Sequence, residues 1–387
     1  MKLKKVNGRA PVIMQVLPNL QQGGVERGTV DAAKAIIKAG GTAIVVSNGG
    51  KLANEVMIAK ATHITLPVHT KNIFKIFKNA KKLAKIIKEY DVDIVHARSR
   101  APAYSCYIAC KRTKTKLVTT FHAPYAYKGR LKRFYNSIMA KGDEVIAISN
   151  YVKEYINKGY HIPNYRINLV VRGTDMEKFD PKKVTDEKIA EMLNTWNIPE
   201  GNPIVLCAGR LTKWKGQETL IDAAKVLLDK GIKDVTYVFM GSDQGRTEYS
   251  SMLFNKINEL GLDKNFYMIP GTTEMPTLYR ISDIVVCSST EPEGFGRIPT
   301  EAGAMGRPVI ATALGGHLET VIDGETGSLI PPADSQALAE AIEKHLKMPA
   351  RAKTTLAKKA RQNVEDNFST EVMFKSLFSI YNKLLKG

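Results

Sequence analysis

Residues 283–311, DIVVCSSTEPEGFGRIPTEAGAMGRPVIA, hold the pattern that decides the fold. A short apolar, β-branched run, Asp283–Cys287, breaks into a polar loop, Ser288–Gly296. A helical stretch, Thr300–Ala304, comes next, and a second apolar run, Val309–Ala311, follows Gly306-Arg307-Pro308. Strand, loop, helix and strand in about thirty residues make a βαβ unit, which builds a parallel sheet covered by helices. In open parallel sheets, ligands bind beyond the carboxyl ends of the strands. Loops that directly follow a strand are therefore where chemistry is expected.

The same rhythm extends outward. Upstream lie strand-like runs at Ile204–Ala208, Thr236–Met240 and Asn265–Ile269, alternating with helical Thr219–Lys230 and Met252–Leu260. The first half repeats it, with strands expected at Val12–Leu17, Thr42–Ser47, Ile64–Leu66, Ile94–Ala97, Leu117–Phe121, Glu144–Ile148 and Ile167–Val171. Val25–Ala39 and Ile73–Tyr90 are two of the helices between them. A length of 387 residues fits two or three domains. The reading is α/β, with a Rossmann-like domain over 1–180, a second over 181–365 and a helical tail over 366–387. Pro181–Pro203, polar and irregular, reads as a linker with room for a short helix.

Composition excludes several classes. With 44 % hydrophobic and 25 % charged residues, the chain is neither disordered nor fibrous. No uncharged apolar run approaches the ~18–20 residues that cross a bilayer. The apolar stretch Pro11–Leu17 gives way to Gln-Gln-Gly-Gly and reads as a first strand and its loop, not as a signal peptide. The four cysteines lack CxxC spacing and read as reduced thiols of a cytosolic protein. The net charge of +19 divides unevenly: residues 1–180 hold +20 and the remainder −1. That asymmetry calls for a polyanionic partner on the first half.

Three loops carry candidate chemistry. After the first strand, Gly23-Gly24 opens a helix, where paired glycines and a helix N-terminus suit a phosphate. By themselves these residues suit an ordinary turn better than a ligand site. There is no GxGxxG and no GxxxxGK[ST]. After Ile204–Ala208 comes GRLTKWKG, residues 209–216, in which Arg210 and Lys215 could hold a diphosphate and stabilise its charge on departure. A solvated basic loop is the competing account. After Asp283–Cys287, Glu293 and Glu301 flank Gly294-Phe295-Gly296. A carboxylate can accept from two neighbouring hydroxyls, so such a pair suits a nucleotide-sugar. Two acids also suggest a glycosidase, but the adjoining phosphate-binding loop argues against that.

Taken in order, GGVER, DIVHARS, TTFHAPY, AIS, RGTDMEKFDP, GRLTKWKG, EPEGFGRIPTEAGAMGRPVIATALGG and DGETGSLIPPAD resemble the family-4 retaining glycosyltransferases of the GT-B fold. The resemblance implies two Rossmann-like domains facing a cleft, with a C-terminal helix returning to the first. It implies that Gly23 and Gly24 lie near the donor diphosphate and that His122 contacts the transferred sugar. Arg210 and Lys215 would neutralise the leaving diphosphate; replacing either is expected to cut turnover and leave the fold intact. Glu293 would sit beside the donor sugar, with Gly294, Phe295 and Gly296 as backbone contacts, and Glu301 would hold the ribose hydroxyls. Glu291 stands at the wrong distance from Glu301 to be the motif acid, and Thr174 replaces a small apolar residue common in the family.

Other candidates are read as structural. His96 is assigned to the framework. Asp91-Val92-Asp93 imitates the DxD metal motif of the other glycosyltransferase fold, but it precedes a strand, so a start-of-strand turn accounts for it. No catalytic metal and no cofactor are expected; the nucleotide diphosphate-sugar is a substrate. Cys106 and Cys110, four apart in a helix, are expected to pack.

The basic half supplies the remaining expectation. Lys71–Lys88 contains seven lysines and no acid. Lys71, Lys75, Lys78, Lys82 and Lys85 fall on one helix face, while Ile73, Phe77, Ala80, Leu83, Ala84 and Ile87 form the expected packed stripe. Lys128, Arg130, Lys132 and Arg133 form a second cluster just after the His122 loop. Both could meet an anionic membrane surface or a glycolipid acceptor, each cation adding about 1 kcal/mol near anionic lipid. Nucleic acid is the rival partner and is not expected, because no helix-turn-helix, zinc or RNP-like pattern occurs. A nucleotide-sugar 2-epimerase shares the architecture but has no need of a basic acceptor face. The expectation is a cytoplasmic, membrane-peripheral hexosyltransferase acting on a glycolipid or lipid-linked saccharide, with lipopolysaccharide core as the leading acceptor.

Overall fold

The computed structural model describes residues 2–21 and 23–385. It divides into two units, the first comprising the described residues of Met1–Val171 and Glu371–Gly387, the second Arg172–Thr370.

The first unit is built on seven parallel strands: β1 (Val12–Val16), β2 (Thr42–Ser47), β3 (Thr62–Thr65), β4 (Ile94–Ala97), β5 (Lys116–Phe121), β6 (Glu144–Ala147) and β7 (Ile167–Leu169). Their order is β3-β2-β1-β4-β5-β6-β7. The order reverses between β1 and β4, so the loops after those two strands flank the switch point, where such sheets bind ligands. β1, β4 and β6 are buried along their whole length, as strands of a sheet covered on both faces are.

The second unit repeats the plan with β8 (Ile204–Ala208), β9 (Thr236–Met240), β10 (Phe266–Ile269), β11 (Ile284–Cys287), β12 (Val309–Thr312) and β13 (Gly327–Ile330). They order as β10-β9-β8-β11-β12-β13, all parallel. Its switch point lies between β8 and β11. Tyr237, Phe239 and Phe266 fill the core beneath β9 and β10, with Tyr237 and Phe266 stacked at 4.8 Å.

The division differs from the expected boundaries at 180 and 365. Residues 172–180 belong to the second unit. The Thr174 hydroxyl donates to Thr300 Oγ1 at 2.9 Å, its amide donates to the Phe368 carbonyl at 2.7 Å, and Phe179 packs 6.1 Å from Tyr279. A hydroxyl at 174 is therefore used, which a small apolar residue could not do. Pro181–Pro203 contains the short helix it had room for. It holds the helix Asp186–Thr195, capped by Thr185 and buried at Met192. The tail forms two helices, Ala350–Phe368 and Thr370–Leu384, which pack in different units. The second returns to the first unit, where the fully buried Tyr381 hydroxyl meets His96 Nδ1 at 2.7 Å and Lys383 pairs with Glu144 at 2.5 Å.

The lysine-rich helix, Ile73–Glu89, is rotated from the expected stripe. Its buried residues are Ile76, Asn79, Ala80, Leu83 and Ile87. Asn79 enters because its amide donates to the Pro67 carbonyl at 2.9 Å, and the Ile76 carbonyl accepts from Ser105 Oγ on the helix Arg100–Thr113. Ile73 and Phe77 are left 61 % and 47 % exposed.

Candidate functional site

In the second unit, the loops after β8 and β11 meet at the switch point. Gly216 makes the approach: at φ 69° it lies in the left-handed region, and a Cβ there would fall 2.0 Å from the Ser288 carbonyl oxygen. Hydrogen bonds from Ser288 and Thr290 zip the loops. Ser288 Oγ donates to the Gly216 carbonyl at 2.8 Å, and the Thr290 amide donates to the Trp214 carbonyl at 2.8 Å.

This closure places Lys215 on Glu293. The ammonium donates to Glu293 Oε1 at 2.6 Å, with both side chains about 85 % buried. Ser289 Oγ donates to the same oxygen at 2.6 Å. His317, fully buried, brings Nε2 to 3.5 Å from that oxygen, while its Nδ1 lies 3.1 Å from the Thr312 carbonyl. Gly296 packs on the imidazole, where a Cβ would come within 2.8 Å of Cδ2. Burial pushes the Glu293 carboxyl up, but the contacts with His317 and Lys215 outweigh it and hold the group well below the ordinary carboxylate range. At 2.6 Å against 3.5 Å, Lys215 is the tighter of the two partners. Glu293 is thus a fixed, ionised acceptor.

Arg210 and Lys215 differ. Arg210 is exposed, with its guanidinium 5.8 Å from the centre of the Trp214 ring. Lys215 Nζ lies 4.7 Å from the same ring while bound to Glu293. Both cations thus lie within 6 Å of the Trp214 ring centre, at cation–π range.

Glu301 occupies the helix Arg297–Ala304 behind the Gly-Phe-Gly turn. It is 7 % exposed, accepting from the Tyr279 hydroxyl at 3.0 Å and from Arg297 at 2.5 Å, one on each oxygen. A carboxylate oxygen has two lone pairs, so each retains capacity for a further donor. Phe295, expected as a backbone contact, is buried and packs on Phe368 at 5.7 Å.

In the first unit, Gly23 caps and Gly24 begins the helix Gly24–Lys38, directly after β1 at that sheet's switch point. His122 follows β5 and is half-buried. His96 is part of the framework: fully buried, it lies 2.7 Å from both Tyr381 and Thr120 hydroxyls. Asp93 accepts from the Val12 amide and pairs with Arg9 at 2.8 Å, so Asp91-Val92-Asp93 serves as a start-of-strand turn. The four cysteines are free and buried.

Sequence reasoning brought forward Arg210, Lys215, Glu293 and Glu301 but missed Ser289, His317 and Trp214. Ser289 and Trp214 sit inside the quoted loops. His317 follows Gly315-Gly316 just beyond β12, and a histidine in a post-strand glycine loop was the available signal.

Comparison with known proteins fits this arrangement. The family model for group 1 glycosyl transferases matches residues 188–364, and that for Glycosyltransferase Family 4 matches residues 22–178. A crystallised glycosyltransferase from Rickettsia africae superposes with a TM-score of 0.91 at 37 % identity, over 98 % of this chain and 99 % of that one. The chain belongs to the family 4, group 1 glycosyltransferases. The two Rossmann-like units are therefore those of the GT-B fold. This family 4 glycosyltransferase also resembles the capsular polysaccharide biosynthesis glycosyltransferase CapM of Staphylococcus aureus, at 31 % identity over 63 % of this chain and 62 % of that protein. A lipopolysaccharide core mannosyltransferase, LpcC of Rhizobium leguminosarum, is 26 % identical over 64 % of this chain and 66 % of that one. The chain thus spans just under two thirds of the length of these curated relatives. HepE from Anabaena, crystallised with UDP and glucose, shares the fold at a TM-score of 0.81 and 23 % identity, over 95 % of this chain and 98 % of that one.

Proposed function

We propose that this glycosyltransferase is a retaining, metal-independent hexosyltransferase that carries sugar from a nucleotide diphosphate donor to a glycolipid or lipid-linked saccharide, lipopolysaccharide core above others. The observation that carries the reading is the Lys215–Glu293 pair at the switch point of the second sheet, with Arg210 exposed beside it. Lys215 spends one N–H on Glu293 and keeps two for diphosphate oxygens. Arg210 adds a second cation. Together they stabilise the charge that gathers on the diphosphate as its bond to the sugar breaks, the work a divalent ion would otherwise do. Glu293, ionised and acceptor-only, takes sugar hydroxyls, and Glu301 takes ribose hydroxyls on its remaining lone pairs. The motif match alone assigns Gly23, Gly24 and His122 to the donor.

The acceptor follows from charge and kinship. Lys75, Lys78, Lys82, Lys85, Lys128, Arg130, Lys132 and Arg133 are all exposed on the strongly basic first unit, and the curated relatives include LpcC. Among the described residues no helix is long and apolar enough to cross a membrane, so contact with an anionic cytoplasmic leaflet would be peripheral. Three measurements test the reading. Melting in the presence of UDP, GDP or ADP should rise for one nucleotide by mass action, and NMR of the product should show the anomeric configuration of the donor. An inverted product would reject retention. Transfer should survive excess chelator; loss restored by Mg²⁺ or Mn²⁺ would reject metal independence.

A further inference from the structure

The first unit carries an apolar patch that the packed core leaves uncovered. On the helix Ile73–Glu89, Ile73, Phe74 and Phe77 are 61 %, 82 % and 47 % exposed. On the short helix Arg130–Asn136, Leu131 and Phe134 are 87 % and 75 % exposed. Both helices pack on a third, Arg100–Thr113: its Ser105 Oγ donates to the Ile76 carbonyl of the first, and its Tyr104 stacks on Tyr135 of the second at 5.7 Å and donates to the Tyr135 carbonyl, while Lys71 Nζ, just before the first helix, lies 6.0 Å from the Tyr135 ring. A solitary exposed Leu needs no account, but this many large apolar side chains on two linked helices does.

The surrounding charge identifies what covers it. No acid occurs in 71–88 or in 122–142, while the exposed Lys71, Lys75, Lys78, Lys128, Arg130, Lys132 and Arg133 flank the apolar side chains. A second copy of this chain would bring like charge against like charge. Lysine is also depleted from the cores of protein–protein interfaces. Aromatic and leucine side chains rimmed by lysine are instead the composition of a surface lying in the plane of an anionic bilayer, its apolar groups among the acyl chains and its cations at the headgroups.

We propose that Phe74, Leu131 and Phe134 insert into the outer part of an anionic bilayer, with Ile73 and Phe77 beside them and the lysines fixing the headgroups. This rests on the membrane-facing part of the proposed function and deepens it from electrostatic contact to insertion.

A probe on Phe74→Cys tests it. The native thiols are buried, Cys207 pushed up to about 11 and Cys110 to about 12, so an environment-sensitive fluorophore attaches at position 74. Its emission should shift to the blue on phosphatidylglycerol–phosphatidylcholine vesicles, and acyl-chain quenchers should reach it. The same probe at Glu259→Cys, exposed on the second unit, should not respond. The triple variant Phe74→Ser, Leu131→Ser, Phe134→Ser should lose about tenfold or more in vesicle flotation and keep the nucleotide-dependent rise in melting. Flotation with an unresponsive probe at 74, or no flotation, overturns insertion. So does a concentration-dependent dimer that the triple variant abolishes, which would make a second copy the occupant. If no nucleotide shifts the melting while the probe inserts, the donor reading fails and insertion stands.

Discussion

Lys215 and Arg210 lie in one loop, yet their surroundings separate what each substitution should do. Arg210 is exposed over Trp214, so Arg210→Ala should lower turnover on the order of 10²–10³-fold and alter stability by no more than about 0.5 kcal/mol. Lys215 is the near neighbour of a buried carboxylate. Lys215→Ala would strand Glu293 and should cost about 3–5 kcal/mol as well as turnover. Urea unfolding of the two variants would separate them; equal midpoints would refute the division. The expected loss of turnover is thus joined, for Lys215 alone, by an expected loss of stability. His317 permits a second prediction. Its contact helps keep the Glu293 carboxyl low against burial, so in His317→Ala burial gains weight and that carboxyl rises. The acid limb of the pH–rate profile should then move toward neutrality. A profile that merely scales down, with its limb unmoved, would assign His317 to packing alone.

At the scale of elements, the contact between the loops after β8 and β11 hangs on one backbone conformation. Gly216→Ala meets both the left-handed penalty and the Ser288 carbonyl, and should destabilise the second unit by more than 2 kcal/mol, roughly the strain cost plus a steric term. Gly231 is the control: its φ is 83°, but a Cβ there has nothing within 4 Å. Gly231→Ala should cost about 1 kcal/mol. Equal losses at the two positions would show that conformation, and not loop contact, sets the requirement. The lysine-rich helix makes a related point. Ile73-Phe77 and Ile76-Ala80 are neighbouring stripes of one amphipathic helix, and the polar grip of Asn79 and Ser105 selects the second.

For the whole molecule, buried histidines in both units couple stability to pH. Burial holds His345 down to about 4, where it lies 3.0 Å from Ser328 Oγ, and holds His96 well below its ordinary value. Both fold neutral, so the unfolded chain takes up protons first as pH falls below 6.5. The stability they contribute is complete above 6.5 and is lost as pH drops toward the folded values. His345 alone should account for about 3 kcal/mol by pH 4. Glu293 acts in a lower window: its contribution is present above the ordinary glutamate value and is lost only as pH falls through its depressed one. Urea midpoints measured from pH 7.5 to 4 should decline below 6.5, and His345→Gln should shallow the slope. A flat profile would contradict this.

The sequence by itself determined the βαβ rhythm, the two-unit plan and the acids and cations after β8 and β11, because strand periodicity and post-strand glycines are local properties. The family followed from the order of those motifs. What lay outside local pattern was decided by tertiary structure. The chain breaks at Val171 because Thr174 and Phe179 find partners over a hundred residues away in Thr300, Phe368 and Tyr279, or nearly so. β13, with Gly327 at its start and no apolar run of length, exists because it can pair with β12. The lysine helix could have packed on either of two apolar stripes, and only its neighbours fixed which one faces water. His317 and Ser289 became site residues the same way. A hydrogen-bond network around a buried carboxylate is a property of distances between loops, and those distances exist only once the sheet has brought β8, β11 and β12 side by side.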